Sequence, residues 1–288
     1  MLRISLLFKK MKNILMECLI CLRSGVNPRF FIPAIIKKFP RHARLLPFFS
    51  FLEKKSFDNL PASLKKAASF LPGRYDLKSI YDIFTSFFFY EEFFPKKGWI
   101  VIDAGAYKGI YTDICSQLVE NEGEIISIEP NPSSSKELRK KFISHKTSNI
   151  KVIEVALGDQ NGPVTFYSSK DYSSTSSMDE AHVVKFNSNF KSTQVQQYTI
   201  DTLMEKYGIR QLDIIKLDIE GAEFKALLGA NKSLRDGVIK RLIIEVHEDV
   251  VSLKQVKNLL LEYPYRLRIV INTSARARKY LYAIQKSL

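Results

Sequence analysis

From Trp99 onward the chain alternates short apolar runs with longer stretches of helical spacing. "WIVID", "GEIISIEP", "NIKVIEVAL", "LDIIKLDIE" and "KRLIIEVHE" are rich in Ile and Val and bounded by polar residues or glycine. That is the pattern of strands buried on both faces. Helical stretches over Lys108–Val119 and Ser133–His145 separate the first three. Such alternation predicts a parallel sheet with helices on both sides. It breaks between residues 160 and 200, where "GPVTFYSS" and "TQVQQYTI" read as two extra strands flanking a Ser-rich loop, "SSKDYSSTSSMDEAH". A helix over Asp201–Tyr207 returns the chain to the sheet at Leu212. After "EVHE", a helix near Ser252–Glu262 precedes two closing strands, "YRLRIVI" and "KYLYAI".

The first part of the chain has another texture. Residues 1–55 mix aromatics with Lys and Arg, and prolines at 28, 33, 40 and 47 limit them to short helical pieces. Residues 60–71 and 79–94 read as two better helices, the second crowded with Phe. We therefore divide the chain into a basic, aromatic-rich helical extension (1–89) and a main α/β domain (90–288). At 288 residues and 45% hydrophobic, there is material for one large core plus an appendage. The apolar run Ile14–Leu22 is interrupted by Glu17 and falls short of the ~20 residues a membrane span requires.

Charge refines this division. The net +14 separates into +11 over residues 1–98, −3 over 99–239 and +6 over 240–288. A uniformly basic nucleic-acid domain would not have an acidic middle, so nucleic acid is not an expected partner. Basic flanks suit an anionic surface, and residues 1–55 suggest peripheral contact with an anionic membrane, the alternative being a helical cap. Three cysteines, Cys18, Cys21 and Cys115, make no disulfide framework and point to a reducing compartment, hence a cytoplasmic protein, peripheral at a membrane's inner face. Cys18 and Cys21 form a C-x-x-C in an apolar run without a second pair, which argues against a metal or redox site.

The first strand ends in "VIDAGAYKG". In an open parallel sheet, ligands bind beyond the carboxyl ends of the strands. Gly105 permits a tight turn and close approach, and Gly109 lets the next helix pack closely. The dinucleotide pattern G-x-G-x-x-G lacks its second glycine here, and Gly109 is not followed by the Lys-Ser/Thr of a triphosphate loop. S-adenosylmethionine needs no phosphate nest. It calls for an acid near its cationic end, here Asp103, and one for its ribose hydroxyls, here Glu129 closing the second strand.

"VIDAGAYKGIYT", "SIEPNP", "VALGDQNG", "TIDTL", "IIKLDIEGAE" and "LIIEVHE" follow in that order. Together they resemble the FkbM family of S-adenosylmethionine-dependent methyltransferases, over roughly Tyr90 to Glu248. The resemblance implies a Rossmann-like class I methyltransferase fold: a mostly parallel seven-stranded sheet, its last strand antiparallel, with helices on both faces. O-methyl transfer to a hydroxyl of a sugar, glycan or related polyol is the implied reaction. It also implies that Asp103, Gly105, Ala106 and Gly109 line the methionine side of the cofactor. Glu129 would hold the ribose, Pro130 and Asn131 would frame the adenine, and Ala156 and Leu157 would close over the base.

Methyl transfer needs alignment of two reactants and an acceptor for the hydroxyl's proton. Asp218, at the end of the fourth strand of the main alternation, is the leading catalytic candidate, with Glu220 beside it; Glu223 is expected to charge-stabilise a helix N-terminus. Glu245 and His247 share a face by two-residue alternation, and His247 titrates near working pH. Lys216 could orient the acceptor or pair with a neighbouring acid. Asp218, Glu245 and His247 could in principle hold a divalent cation, but no spacing motif supports it, and no metal is expected. Two other readings remain at this stage: an NAD(P)-dependent short-chain oxidoreductase, and a non-catalytic membrane-associated interaction protein of the same fold.

Overall fold

The computed structural model describes residues 79, 83, 86–145, 147–169, 176–186, 189–272 and 278–288. The chain divides into two compact units, Met1–Glu91 and Glu92–Leu288, and the second carries everything below. The proposed membrane contact of residues 1–55, the Cys18–Cys21 pair, the helix over 60–71 and residues 170–175 of the Ser-rich loop lie outside the described residues. Of the helix expected over 79–94, the C-terminal part is instead a single 3-10 turn, Glu91–Phe93.

Seven strands form the main sheet: β1 (Ile100–Ala104), β2 (Glu124–Ile128), β3 (Ile150–Ile153), β7 (Ile214–Leu217), β8 (Arg241–Val246), β9 (Tyr265–Asn272) and β10 (Arg278–Gln285). Their spatial order is β3-β2-β1-β7-β8-β10-β9. All neighbours pair in parallel except β10, which runs antiparallel to both β8 and β9. β7 and β8 are buried along their whole length, as near-continuous apolar runs require of central parallel strands.

A second sheet holds β4 (Ala156–Leu157), β5 (Gly162–Ser169) and β6 (Phe190–Tyr198) in the order β4-β6-β5. The run "NIKVIEVAL", expected as one strand, is therefore divided. Ile150–Ile153 pair with β2, whereas Ala156–Leu157 leave the main sheet and pair with β6.

The helices are α1 (Ile110–Val119), α2 (Pro132–Ser144), α3 (Glu180–Phe186), α4 (Ile200–Lys206), α5 (Glu223–Leu228), α6 (Asn231–Arg235) and α7 (Leu253–Leu261). Several start where the local sequence dictates. Asn131 Oδ1 accepts from the amides of Ser133 and Ser134, with Pro132 in the first turn, so α2 begins there. Thr199 caps α4, and Ser252 with Gln255 forms a capping box on α7. α3 was not anticipated; it sits where a loop was expected. Its own signal was present: Asp179 Oδ1 accepts from the His182 amide at 3.1 Å, as an N-cap does.

Candidate active site

The turn after β1 is set by two close approaches. Gly105 has φ +76°, and a Cβ there would lie 1.8 Å from the Asp218 carbonyl oxygen. The backbone leaving β1 therefore rests directly on the backbone leaving β7. At Gly109 (φ +72°) a Cβ would meet Leu138 and Phe142 of α2 at 2.6 and 2.8 Å, the close packing expected of it. Ala106 also faces this packing, in a cluster with Leu138 and Phe142, and not the cleft.

Asp103 and Lys216 are register partners on β1 and β7, so their side chains emerge on one face as neighbours. Asp103 is completely buried, its Oδ1 3.0 Å from Lys216 Nζ and its Oδ2 accepting from Thr112 Oγ1 at 2.6 Å. Lys216 is 2% exposed and also reaches the carbonyls of Gly105 and Ala104 and Asp218 Oδ2, at 3.2, 3.4 and 3.4 Å. Burial works against its charge, but Asp103 and Asp218 outweigh it and raise the ammonium's pKa. Asp103 has both carboxylate oxygens engaged and does not line the cleft, and of the two readings of Lys216 the geometry shows the pairing with neighbouring acids. Both are consumed in tying β1 to β7 under the glycine turn.

Glu129 behaves differently. It is 6% exposed and lines the cleft. Its Oε2 accepts from the Tyr107 amide at 2.8 Å and its Oε1 from the Asn131 amide at 3.0 Å. Burial pushes its carboxyl up to about 7, against the lowering effect of those two N–H groups. Tyr107 gains its position through a left-handed backbone conformation (φ +47°), which sequence reasoning did not foresee. Asn131, expected beside an adenine, is spent on capping α2. Pro130, Ala156 and Leu157 do line an apolar slot, with Ile128, Phe166 and Ile219.

That slot adjoins a cleft of about 740 Å³, which runs from Gly105, Tyr107, Glu129 and Pro130 to Asp218, Glu220, Glu245 and His247. Asp218, Glu220 and His247 bring three ligating atoms within 4.8 Å of one another. His247 Nε2 stands 3.5 Å from Glu220 Oε2 and 3.9 Å from Asp218 Oδ1, and its Nδ1 lies 2.8 Å from Glu223 Oε1. Glu223 is wholly buried, its Oε1 also accepting from the amides of Ile219 and Gly221. It thus fixes both the 218–223 turn and the imidazole. Burial opposes charge on His247, yet Glu223 and then Glu220 raise its pKa well above the ordinary value.

Glu245 lies on the same cleft wall, its Oε1 3.3 Å from Arg278 Nε. Burial and then the Asp218 charge push its carboxyl up to about 7. The sequence reading missed His182. This α3 residue is 1% exposed, with Nε2 2.9 Å from Glu220 Oε2 and Nδ1 2.7 Å from Asp249 Oδ2. Burial again opposes charge, but Glu220 and Asp249 raise its pKa. The end of the Ser-rich stretch is fastened to the same turn, Ser177 Oγ donating to the Glu220 carbonyl at 2.6 Å.

A sheet whose seven strands follow the sequence order 3-2-1-4-5-7-6, with the seventh antiparallel and the cleft at the carboxyl ends of the first, second, fourth and fifth, defines a class I methyltransferase fold. The family described as "Methyltransferase FkbM domain" matches residues 103–267, and the chain belongs to it. "Methyltransferase 1" of Beauveria bassiana (strain ARSEF 2860) is 25% identical over 181 residues, 58% of this chain and 72% of that one. A solved structure of methyltransferase FkbM from Methylobacillus flagellatus KT is 18% identical with a TM-score of 0.48, covering 77% of this chain. The present chain spans 58% of that structure's length. Fibrillarin of Aeropyrum pernix, solved with natively bound S-adenosyl-L-methionine, is 15% identical with a TM-score of 0.40, over 66% of this chain and 67% of that one. The chain is a methyltransferase of the FkbM family, which sets aside the oxidoreductase reading. Among the described residues no helix is long and apolar enough to cross a membrane.

Proposed function

We propose that this protein uses S-adenosylmethionine to methylate a hydroxyl of a sugar, glycan or related polyol. The observation that carries the reading is a cleft at the strand ends that runs from Gly105 and Glu129 to Asp218 and Glu245, with an apolar slot adjoining it. The residues fit the cofactor at three points. Glu129 faces the cleft with its carboxylate steadied by two backbone amides, leaving its remaining lone pairs for ribose hydroxyls. Ile128, Pro130, Ala156, Leu157, Phe166 and Ile219 give an apolar wall beside Glu129, around a slot of about 20 Å³ that a flat base would have to widen. Gly105 lines the cleft at the turn after β1, the end assigned to the methionine portion.

When bound, the cofactor supplies an electrophilic methyl on a sulfonium: the S–CH3 bond breaks as the O–CH3 bond forms, leaving a neutral thioether. The chain must align the hydroxyl and remove its proton. Holding the two reactants in line is worth ~7–11 kcal/mol in favourable cases. Asp218, Glu220 and Glu245 are carboxylates at the acid-lined end of the cleft that can take the proton. Asp103 and Lys216 act below, holding the two strand ends at a fixed spacing. Basic residues 1–55 suit an acceptor carried at an anionic membrane.

Calorimetric titration with S-adenosylmethionine, followed by transfer of a labelled methyl to polyols and lipid-linked glycans, tests this reading. Binding that is lost in Glu129→Ala and label in a glycan or polyol are expected. Unchanged binding in that variant removes the cofactor assignment, and label confined to RNA or protein removes the acceptor assignment.

A further inference from the structure

The acid-lined end of the cleft contains a ligand set that methyl transfer by alignment alone does not use. Asp218, Glu220 and His247 each bring one ligating atom within 4.8 Å of the others, and each residue is partly buried and borders the cleft. Donors bound ~2.1 Å from one ion stand ~3.0 Å apart when adjacent and ~4.2 Å when opposite in an octahedron. The observed 3.5 and 3.9 Å separations from His247 Nε2 fall between those limits.

Two of the three ligating groups are steered from behind. Asp218 has its other oxygen, Oδ2, 3.4 Å from Lys216 Nζ, which leaves Oδ1 toward the cluster. Glu220 Oε2, the oxygen that faces His247, also meets His182 Nε2 at 2.9 Å, and Asp249 orients that imidazole in turn. His247 Nδ1 is backed by Glu223, the carboxylate–histidine arrangement that fixes which ring nitrogen faces a metal.

A second observation concerns charge. Glu223 is wholly buried, and its Oε2 has no hydrogen-bond partner among the described residues. A buried carboxylate with one bare oxygen is costly unless positive charge stands close by. The nearby cations are already committed: Lys216 between Asp103 and Asp218, Arg278 at Glu245 and Lys185 at Asp249. Glu220 and Glu223 are left to share two imidazoles. A divalent ion on Nε2 of His247 would place positive charge on the far side of the imidazole that Glu223 Oε1 holds.

We propose that Asp218, Glu220 and His247 hold one divalent transition-metal ion at the floor of the cleft, with the remaining positions open to an acceptor that chelates through two neighbouring oxygens, such as a vicinal diol or a hydroxy acid. One imidazole with two carboxylates favours Mn2+, Co2+ or Zn2+ over Ca2+. The trio differs from the one weighed in the sequence, because Glu220 and not Glu245 reaches His247 Nε2. The inference deepens the proposed reaction, since a coordinated hydroxyl gives up its proton more readily.

The test uses the full chain, stripped with a chelator and titrated with Mn2+ and Co2+ without cofactor. One ion per chain is expected, with nitrogen coupling from an imidazole in the spin-echo spectrum of the Mn2+ form. Glu220→Gln and His247→Gln are expected to weaken binding about tenfold or more, and the exposed control Arg139→Ala to leave it unchanged. No binding at about 1 mM metal, a weak-site concentration, or bound Mn2+ without nitrogen coupling, overturns the proposal even if a variant fails to fold. Cofactor titration is read separately. A chain that binds S-adenosylmethionine but no metal sinks only this inference, and one that binds metal but no S-adenosylmethionine sinks only the cofactor reading.

Discussion

Gly105 and Gly98 offer a controlled comparison. Both have left-handed backbones, φ +76° and +80°. They differ in surroundings: an added Cβ at Gly98 meets nothing within 4 Å, whereas at Gly105 it lies 1.8 Å from the Asp218 carbonyl oxygen and 2.9 Å from the carbonyl carbon. Ordinary contact begins near 3.4 Å, so about 1.6 Å of backbone movement is needed there, with no flexible side chain to absorb it. Gly98→Ala is expected to cost only the left-handed penalty, about 1 kcal/mol. Gly105→Ala adds an overpacking penalty of ~1–3 kcal/mol or more, for a total of ~2–5 kcal/mol. In a domain of this size each kcal/mol lowers Tm by ~2–4 °C. Thermal melts followed by circular dichroism should therefore show a drop of ~2–4 °C for Gly98→Ala and ~4–20 °C for Gly105→Ala. Because the displaced group is Asp218 itself, the second variant should also lose methyl transfer beyond what its stability explains. Equal Tm shifts in the two variants would refute the claim that the β1 and β7 backbones touch at this turn.

Other outcomes follow from the buried charges and caps. Glu129 has a folded pKa of about 7 against an ordinary 4.5. Its stabilising contribution is full below that ordinary value and is lost as pH rises through about 7. Glu129→Gln should remove that slope, about 1.4 kcal/mol per pH unit between those limits, from urea unfolding curves; an unchanged slope refutes the assignment. Lys216→Met leaves Asp103 buried without its cation and should cost ~3–5 kcal/mol in chemical unfolding. Adding Asp103→Asn should restore part of that loss, and no coupling between the two changes would show that the pair does not act as a unit. Asn131→Ala should cost about 1 kcal/mol as a lost helix cap. Its S-adenosylmethionine Kd should remain within about threefold, and a loss of tenfold would return Asn131 to the adenine site.

While the antiparallel final strand came from the family resemblance, the strands of the main sheet and the position of the glycine turn were legible in the sequence. Each rests on local chemistry: apolar runs of strand length, and glycine where the chain turns back on itself. The acids at the strand ends were legible too, because a strand's period fixes which of its residues reach the carboxyl edge. What these acids face was decided elsewhere. Lys216 and Asp103 lie 113 residues apart and meet only because β1 and β7 are register neighbours. His182 comes from the segment read as a Ser-rich loop and reaches Glu220 across 38 residues. Two-residue alternation did place Glu245 and His247 on one wall, but the left-handed turn at Glu220 (φ +51°) and the grip of buried Glu223 set Glu220 against the imidazole. Local sequence fixes which groups stand at the rim of a sheet, since propensity and period act over a few residues. Which of them touch, and so which are charged, buried or open to a ligand, depends on strand register and on the packing of distant segments, and these exist only in the folded chain.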